Sequence, residues 1–470
     1  MNAVDSLRYF VPELILLAGA FGVLVADLFS KNKNWLAGLS LVTLAAACFF
    51  ATAPSQPFPL FFGYFTLDTL THFFRAAALG IVAVTILAST VYKPIASSHK
   101  GEFYSLFLFM AFGLILMAAS TNLLMIFLSI EFVSILSYLL VGFMKRDSRS
   151  KEAAIKYLLF GSIASGMMLY GMSILFGLTG SLELAAISTK ITPWGESAAV
   201  VFAFLLVATG IGFKISMVPF HMWAPDVYEG APTPVTAFLT VGPKALGFAV
   251  LIRVLTLLAP SFDWKPVLML LCILTMTLGN VIAISQSNIK RLLAYSSIAQ
   301  AGYILMGIVV FSETGILAVL IYLVAYAVTN LGAFVAVIAA SHSLESDDLQ
   351  SYAGLSKRAP FLAACIAIFL LSLAGIPPLA GFIGKLFVFS AAIESGFILL
   401  AIAAALNSAV AAYYYFKVVR VMYLAPSFKD DKLTYPAPLL AALVILLAGT
   451  VLFGTFPGPW IDWIKSAIPA

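Results

Sequence analysis

The stretch Ala199-Val-Val-Phe-Ala-Phe-Leu-Leu-Val-Ala-Thr209-Gly-Ile-Gly-Phe-Lys214-Ile-Ser-Met-Val-Pro219-Phe-His221 sets one lysine inside an apolar run long enough to cross a lipid bilayer. Pro219 removes a backbone donor and interrupts the helix that this run would otherwise form. Backbone groups freed inside a membrane must line a cavity or pack against protein. A lone charge in hydrocarbon costs on the order of 3 kcal/mol or more, so it is kept where it has a task or a partner. The reading is a broken membrane helix built around Lys214.

Working outward, other long apolar segments carry the same signature. Glu131 sits in Leu128-Ser-Ile-Glu131-Phe-Val-Ser, Lys244 in Val241-Gly-Pro-Lys244-Ala-Leu-Gly, and Lys385 follows Gly381-Phe-Ile-Gly384. Glu131 reads as the only carboxylate deep in a clean span, and as the natural partner of one lysine. Burial disfavours an ammonium and a nearby carboxylate restores it, so such a lysine changes protonation when its partner moves. Glu131, Lys214, Lys244 and Lys385 are therefore candidate proton-handling stations. The competing account for each is a static ion pair or a helix-packing polar group. Lys156, four residues after Glu152, reads first as an ordinary i,i+4 pair or a snorkelling lysine. His221 is placed either to bridge stations or to pack. Ser296, Ser297, Gln300 and Tyr303, then Tyr322, Tyr326, Thr329 and Asn330, give two later spans polar faces, for water or for interhelical hydrogen bonds. Asp226 and Glu229 read as solvated or capping.

Composition sets the class. The chain has 470 residues, 62% hydrophobic and 10% charged, with mean hydropathy +1.05. Soluble domains carry roughly 25% charged residues, so an ordinary soluble enzyme is excluded. Long apolar runs exclude a β-barrel, whose strands alternate. The expectation is an all-α polytopic membrane protein, held in a lipid bilayer and without nucleic-acid partners, because the basic residues fall in short loops rather than in a stripe with aromatics. Cys48, Cys272 and Cys365 are far apart in apolar stretches, and His72, His99, His221 and His342 form no ligand cluster. Gly210-Ile-Gly212 lacks the third glycine of a dinucleotide site. The chain is expected to hold no cofactor and no metal. Its first apolar run, Phe10 to Phe29, spans by itself, so no cleavable signal peptide is needed.

Apolar runs predict fourteen helices, centred on 10–29, 35–53, 70–91, 103–120, 122–143, 155–178, 199–223, 233–257, 266–284, 293–311, 316–340, 360–395, 398–424 and 437–456. The segment 360–395 is too long for one crossing and contains Gly375-Ile-Pro377-Pro378, so it too is expected to break. Alternate loops differ in charge. One side holds sixteen basic residues, from Lys31 to Lys432, and the other holds Arg8, Lys190, Arg253, Lys265 and Lys465. The positive-inside rule turns the sixteen toward the cytoplasm and both termini outward.

Spans 4 to 8 and 9 to 13 can be laid side by side. In each block the fourth member is broken by proline and carries a lysine. Five spans per block is an odd number, which gives two inverted repeats, the common plan of secondary transporters. The correspondence is imperfect, since Lys214 precedes its breaker and Lys385 follows its own. The expected divisions are 1–98 (three leading helices), 99–260 and 261–428 (the two repeats), and 429–470 (a last helix).

Several longer stretches carry a resemblance. Pro219-Phe-His-Met-Trp-Ala-Pro-Asp-Val-Tyr-Glu-Gly-Ala-Pro-Thr-Pro-Val, Val241-Gly-Pro-Lys244, Lys290-Arg-Leu-Leu-Ala-Tyr-Ser-Ser-Ile-Ala-Gln-Ala-Gly-Tyr303 and Leu373-Ala-Gly-Ile-Pro-Pro-Leu-Ala-Gly-Phe-Ile-Gly-Lys385 resemble the antiporter-like (Mrp-type) subunits of respiratory complex I, the proton-translocating NADH:quinone oxidoreductase. The Asp226-Val-Tyr-Glu-Gly-Ala-Pro232 run is similar to the subunit N branch, homologues of mitochondrial subunit 2. A lysine at 385 fits that branch better than subunit M, where a glutamate is expected. The resemblance implies that Glu131 pairs with Lys214, that Lys244 connects, and that Lys385 is the exit-side station, with Lys156 also counted functional. It implies proton translocation driven by quinone reduction elsewhere in the complex. Flavin, iron–sulfur clusters, NADH and quinone would then belong to other subunits. Subunit M and small subunits such as subunit K are the implied neighbours, and a bacterial inner membrane is the implied site. A sodium/proton antiporter, a non-transporting assembly subunit and a ferredoxin-fed relative remain as alternatives.

Overall fold

A computed structural model describes residues 3–51, 56–95, 99–195, 197–258, 263–344, 346–427 and 431–468. A leading group comprises α1 (Ala3–Tyr9), α2 (Val11–Phe29), α3 (Trp35–Phe49), a hairpin of β1 (Phe58–Leu60) and β2 (Phe65–Leu67), and α4 (Thr69–Ser89). A first block follows: α5 (Lys100–Ala119), α6 (Leu123–Val141), α7 (Ser148–Thr179), α8 (Leu184–Ile191), α9 (Ala198–Ile215), α10 (Trp223–Gly230) and α11 (Thr233–Leu258). The second block is α12 (Lys265–Ile284), α13 (Ile289–Val310), α14 (Glu313–Leu344), α15 (Leu355–Arg358), α16 (Pro360–Ala374), α17 (Ala380–Glu394) and α18 (Ile398–Leu424). The chain closes with α19 (Ala437–Thr455) and α20 (Gly458–Lys465).

Each of the fourteen expected segments holds helix. Among the described residues twelve helices are long and apolar enough to cross a membrane, while α3 and α16 are shorter apolar helices. The protein is a multi-pass helical membrane protein. The expected breaks fall after Ile215, where Ser216 turns left-handed, and after Ala374, where Gly375 does so.

The two blocks use one packing scheme. In the first, α5 packs on α6, α7 on α9 and α10, and α11 returns to α5, α9 and α10. In the second, α12 packs on α13, α14 on α16 and α17, and α18 returns to α12, α16 and α17. Even the small links match. Asn122 caps α6 and bridges to Glu183, and Asn288 caps α13 and bridges to Asp348. Such caps satisfy amide groups that a helix start leaves unpaired. Helices α11, α13 and α14 meet in the middle, and α11 is buried throughout its apolar length.

The all-α class holds, with one small addition: Phe58–Leu60 pairs antiparallel with Phe65–Leu67. This hairpin is stitched to the α5–α6 junction, where Thr121 donates its amide to the Tyr64 carbonyl. Two other readings need correction. Arg253 is no loop charge. Helix α11 runs past it to Leu258, and its buried guanidinium grips Asp68 through two bonds of 2.8 and 2.9 Å, with Thr71 at 2.7 Å and the Ala118 carbonyl as further acceptors. Glu131 is also not alone among intraspan carboxylates. Glu13 in α2 is buried against Arg75 of α4 at 2.6 Å.

Candidate functional site

The first break places Lys214 in the last turn of α9, buried to 1% exposure. Its stem runs beside α11, where a Cβ on Gly247 would lie 3.6 Å from the Lys214 Cβ, ordinary contact. The ammonium donates to Ser134 Oγ of α6 at 2.8 Å. Glu131, one turn earlier on α6, instead accepts a hydrogen bond from Ser165 of α7 and is partly exposed. The expected pair is therefore not in direct contact. The Ser134 hydroxyl at i+3 takes the place beside the ammonium. The turn after α9 is tied back by Trp223, whose indole N–H donates to the Phe213 carbonyl at 3.1 Å and whose ring stacks on Tyr157 at 4.3 Å.

Lys244 occupies the centre. It follows Pro243 in α11, is 2% exposed, and donates to the Ser297 carbonyl and hydroxyl of α13 at 3.0 and 2.9 Å. Its nitrogen also stands 5.7 Å from the Tyr228 ring centroid.

Lys385 follows the second break in the chain yet reaches back across it. Its ammonium donates to the Ala374 carbonyl at 2.8 Å, at the open C-terminal end of α16, and lies 4.7 Å from the Tyr303 ring centroid. A helix C-terminus carries partial negative charge, so backbone alone offers this ammonium a partner. Gly375 makes the approach geometrically open. Its φ of +91° suits glycine, and an added Cβ would meet the lysine Cδ at 2.7 Å.

Around Lys244 and Lys385 the helices place clusters of hydrogen-bonded side chains. Next to Ser297, Ser296 bonds Tyr415 at 2.6 Å, and Gln300 donates to Tyr415 and to the Leu373 carbonyl. Tyr322 donates to Gln300 at 2.6 Å, and Thr329 meets Ser372 at 3.1 Å. Asn280 links Tyr303 to Asn407. The polar faces expected on α13 and α14 are therefore assembled around the lysines.

Lys156 stands apart, half-exposed at one end of α7. It pairs with Glu152 and with Asp226, each at 2.8 Å. His221 lies in the turn between α9 and α10, partly exposed, and its Nδ1 has no hydrogen-bond partner among the described residues. Asp226 and Glu229 are partly exposed, and both are engaged in ion pairs. Asp226 also holds Arg291 of α13 at 2.7 Å, and Glu229 holds the same guanidinium at 2.9 Å. Burial works against the Asp226 charge, but hydrogen bonds from Lys156 and Arg291 keep its carboxyl below the ordinary carboxylate value. Sequence reading missed this clasp because its partners come from three helices. The one local signal is the i,i+3 spacing of Asp226 and Glu229 on a short helix. No cluster of three or more His, Cys, Asp or Glu side chains suited to a metal occurs among the described residues.

Comparison with known proteins agrees with this architecture. The chain is 43% identical to NADH-quinone oxidoreductase subunit N 2 of Sorangium cellulosum, with 100% of this chain and 98% of that one covered. It matches a chain of respiratory complex I from Thermus thermophilus, solved with bound aureothin, at 32% identity and TM-score 0.81, covering 97% of this chain and 99% of the other. A chain of the Mrp complex from Dietzia, 21% identical with TM-score 0.78 over 98% and 96% of the two chains, shares the fold. The family model described as NADH:quinone oxidoreductase/Mrp antiporter, transmembrane, matches residues 120–411. The chain belongs to that transmembrane family, and within it to the subunit N group of the NADH:quinone oxidoreductases.

Proposed function

We propose that this chain is a membrane-arm antiporter-like subunit of an NADH:quinone oxidoreductase and moves protons across the membrane, driven by quinone reduction elsewhere in the complex. The observation that carries the reading is the set of buried lysines itself. Lys214, Lys244 and Lys385 each bury an ammonium against hydroxyl or carbonyl oxygen, with no carboxylate in contact among the described residues, and a cluster of hydrogen-bonded side chains around Gln300 lies near the last two. A buried cation held by neutral oxygens releases its proton more readily than one locked to a carboxylate. Glu131 modulates Lys214, while Lys156 and His221 stand at the margin of the line. Moving one charge against about 150 mV costs about 3.5 kcal/mol, within reach of one ion-pair rearrangement.

In this reading the blocks at 99–260 and 261–428 are inverted repeats, flanked by 1–98 and 429–470. The matching caps and neighbours support that duplication. The basic end faces the cytoplasm of a bacterial inner membrane and both termini face the periplasm. Subunit M and small subunits such as subunit K adjoin the chain, and the flavin, iron–sulfur clusters, NADH and quinone sites lie in other subunits.

The test uses the purified complex in proteoliposomes. Proton uptake should require both NADH and quinone and should fall in Lys214→Ala. Sodium-for-proton exchange without redox substrates, unaffected by NADH, would overturn the reading.

A further inference from the structure

Pro377 and Pro378 do more than stop α16. In a continued helix the amides of residues 377 and 378 would close on the carbonyls of Leu373 and Ala374. Proline has no amide hydrogen, so these two carbonyls are left to other donors. Both donors come from inside the bundle. Lys385 of α17 gives its ammonium to Ala374 at 2.8 Å, and Gln300 of α13 gives its side-chain amide to Leu373 at 3.1 Å.

The first block shows what Gln300 replaces. Ser134 lies twelve residues past the capping Asn122, and Gln300 twelve past the capping Asn288. Lys214 lies two residues before the left-handed Ser216, and Leu373 two before the left-handed Gly375. The bond between Lys214 and Ser134 and the bond between Leu373 and Gln300 therefore join corresponding points of the two blocks. In the first block the charge itself makes the link. In the second a neutral amide makes it, and the charge sits on the other half-helix, one carbonyl further along.

We propose that Gln300 is a positioning residue for Lys385: it occupies the Leu373 carbonyl and fixes the end of α16, so that the ammonium is seated on the Ala374 carbonyl. The proposal rests on the functional reading above and adds a residue to it. A buried glutamine needs hydrogen-bond partners wherever it lies, so burial alone assigns it no role. Two observations go further. The orientation of the Gln300 amide is determined, because the Leu373 carbonyl can only accept, while Tyr322 donates to the opposite end, Oε1, at 2.6 Å. Its Nε2 also reaches the Tyr415 hydroxyl at 3.3 Å, and the side chain is 1% exposed. The clamp also belongs to a continuous set. Ser372 Oγ accepts the Gly381 amide of α17 at 3.0 Å and meets Thr329 of α14 at 3.1 Å, Leu373 is held by α13, and Ala374 receives Lys385. Three consecutive residues at the end of α16 are thus tied to three neighbouring helices. Without the amide, the ammonium would have two adjacent open carbonyls in place of one.

The experiment compares Gln300→Met, Gln300→His and Lys385→Ala in the intact complex, checked for assembly on native gels and reconstituted into proteoliposomes, together with a structure of the Gln300→Met complex. Gln300→Met keeps the length of the side chain and removes the amide. Protons pumped per NADH should fall toward the Lys385→Ala level, and the Lys385 nitrogen should leave Ala374 for the Leu373 carbonyl. Gln300→His supplies an N–H donor again and should recover most of the loss. A full ratio in Gln300→Met, with Lys385→Ala reduced, would overturn the clamp and leave the proton-pump reading standing. A reduced ratio with Lys385 still seated on Ala374 would overturn it too. A full ratio in assembled Lys385→Ala would instead sink the reading on which the clamp rests. If Gln300→Met does not assemble, Tyr322→Phe decides. It removes the donor to Oε1 and frees the amide to turn over, so its ratio should fall, and a wild-type ratio there overturns the clamp.

Discussion

The ammonium of Lys385 bonds the carbonyl of Ala374, eleven residues earlier and on the far side of a broken helix. This contact answers the mismatch between the two blocks. Lys214 belongs to the last turn of the half-helix before its break, and Lys385 belongs to the half-helix after its own. By reaching back, Lys385 brings its charge to the end of the leading half-helix, where the open carbonyls are.

That geometry makes Gly375 a sensitive position. Gly375→Ala places a side chain in left-handed backbone and against the Lys385 stem. The backbone alone should cost about 1–3 kcal/mol. A lowered thermal midpoint of the complex together with a reduced pumping ratio is expected. An unchanged ratio would mean that the Ala374 contact is dispensable.

The Asp68–Arg253 pair joins the leading helices to the first block, and its pH dependence has a definite sign. Burial opposes the Asp68 charge, but Arg253 and the Thr71 bonds outweigh it and hold the carboxyl below its ordinary value of 3.8. Its contribution to stability is therefore complete above that ordinary value and disappears as pH falls through the depressed one. Thermal unfolding in detergent from pH 7 to pH 3 should show an acid loss that Asp68→Asn lacks. The variant should also be less stable at pH 7 by about 3–5 kcal/mol, since Arg253 is left buried without its partner. Equal acid losses in the two proteins would refute the assignment.

The clasp of Asp226 between Lys156 and Arg291 is partly exposed, so solvent screens it. Asp226→Asn should cost about 1 kcal/mol at most and should weaken the salt dependence of the thermal midpoint. Identical salt responses in variant and wild type would show that the clasp carries no net attraction.

Much of this was legible in the chain. A lone lysine in an apolar run is visible without coordinates because its cost depends only on local surroundings, so Lys214, Lys244 and Lys385 could be named, and Pro219 and Pro377-Pro378 marked the breaks. What the sequence hid is pairing across long separations. Arg253 stands 185 residues from Asp68 and looked like a loop charge near a span end. Ser134 displaced Glu131 as the nearest neighbour of Lys214, a choice fixed by the rotation of α6 that hydropathy does not resolve. The hairpin at Phe58–Leu67 escaped notice because three-residue strands between membrane helices leave almost no periodic signal.

The decisive measurement is the number of protons pumped per NADH by assembled Lys244→Ala complex in sealed proteoliposomes. If the central lysine hands protons between the two blocks, the ratio falls below wild type while the complex remains intact on native gels. An assembled variant with the full wild-type ratio would contradict a proton path through Lys244.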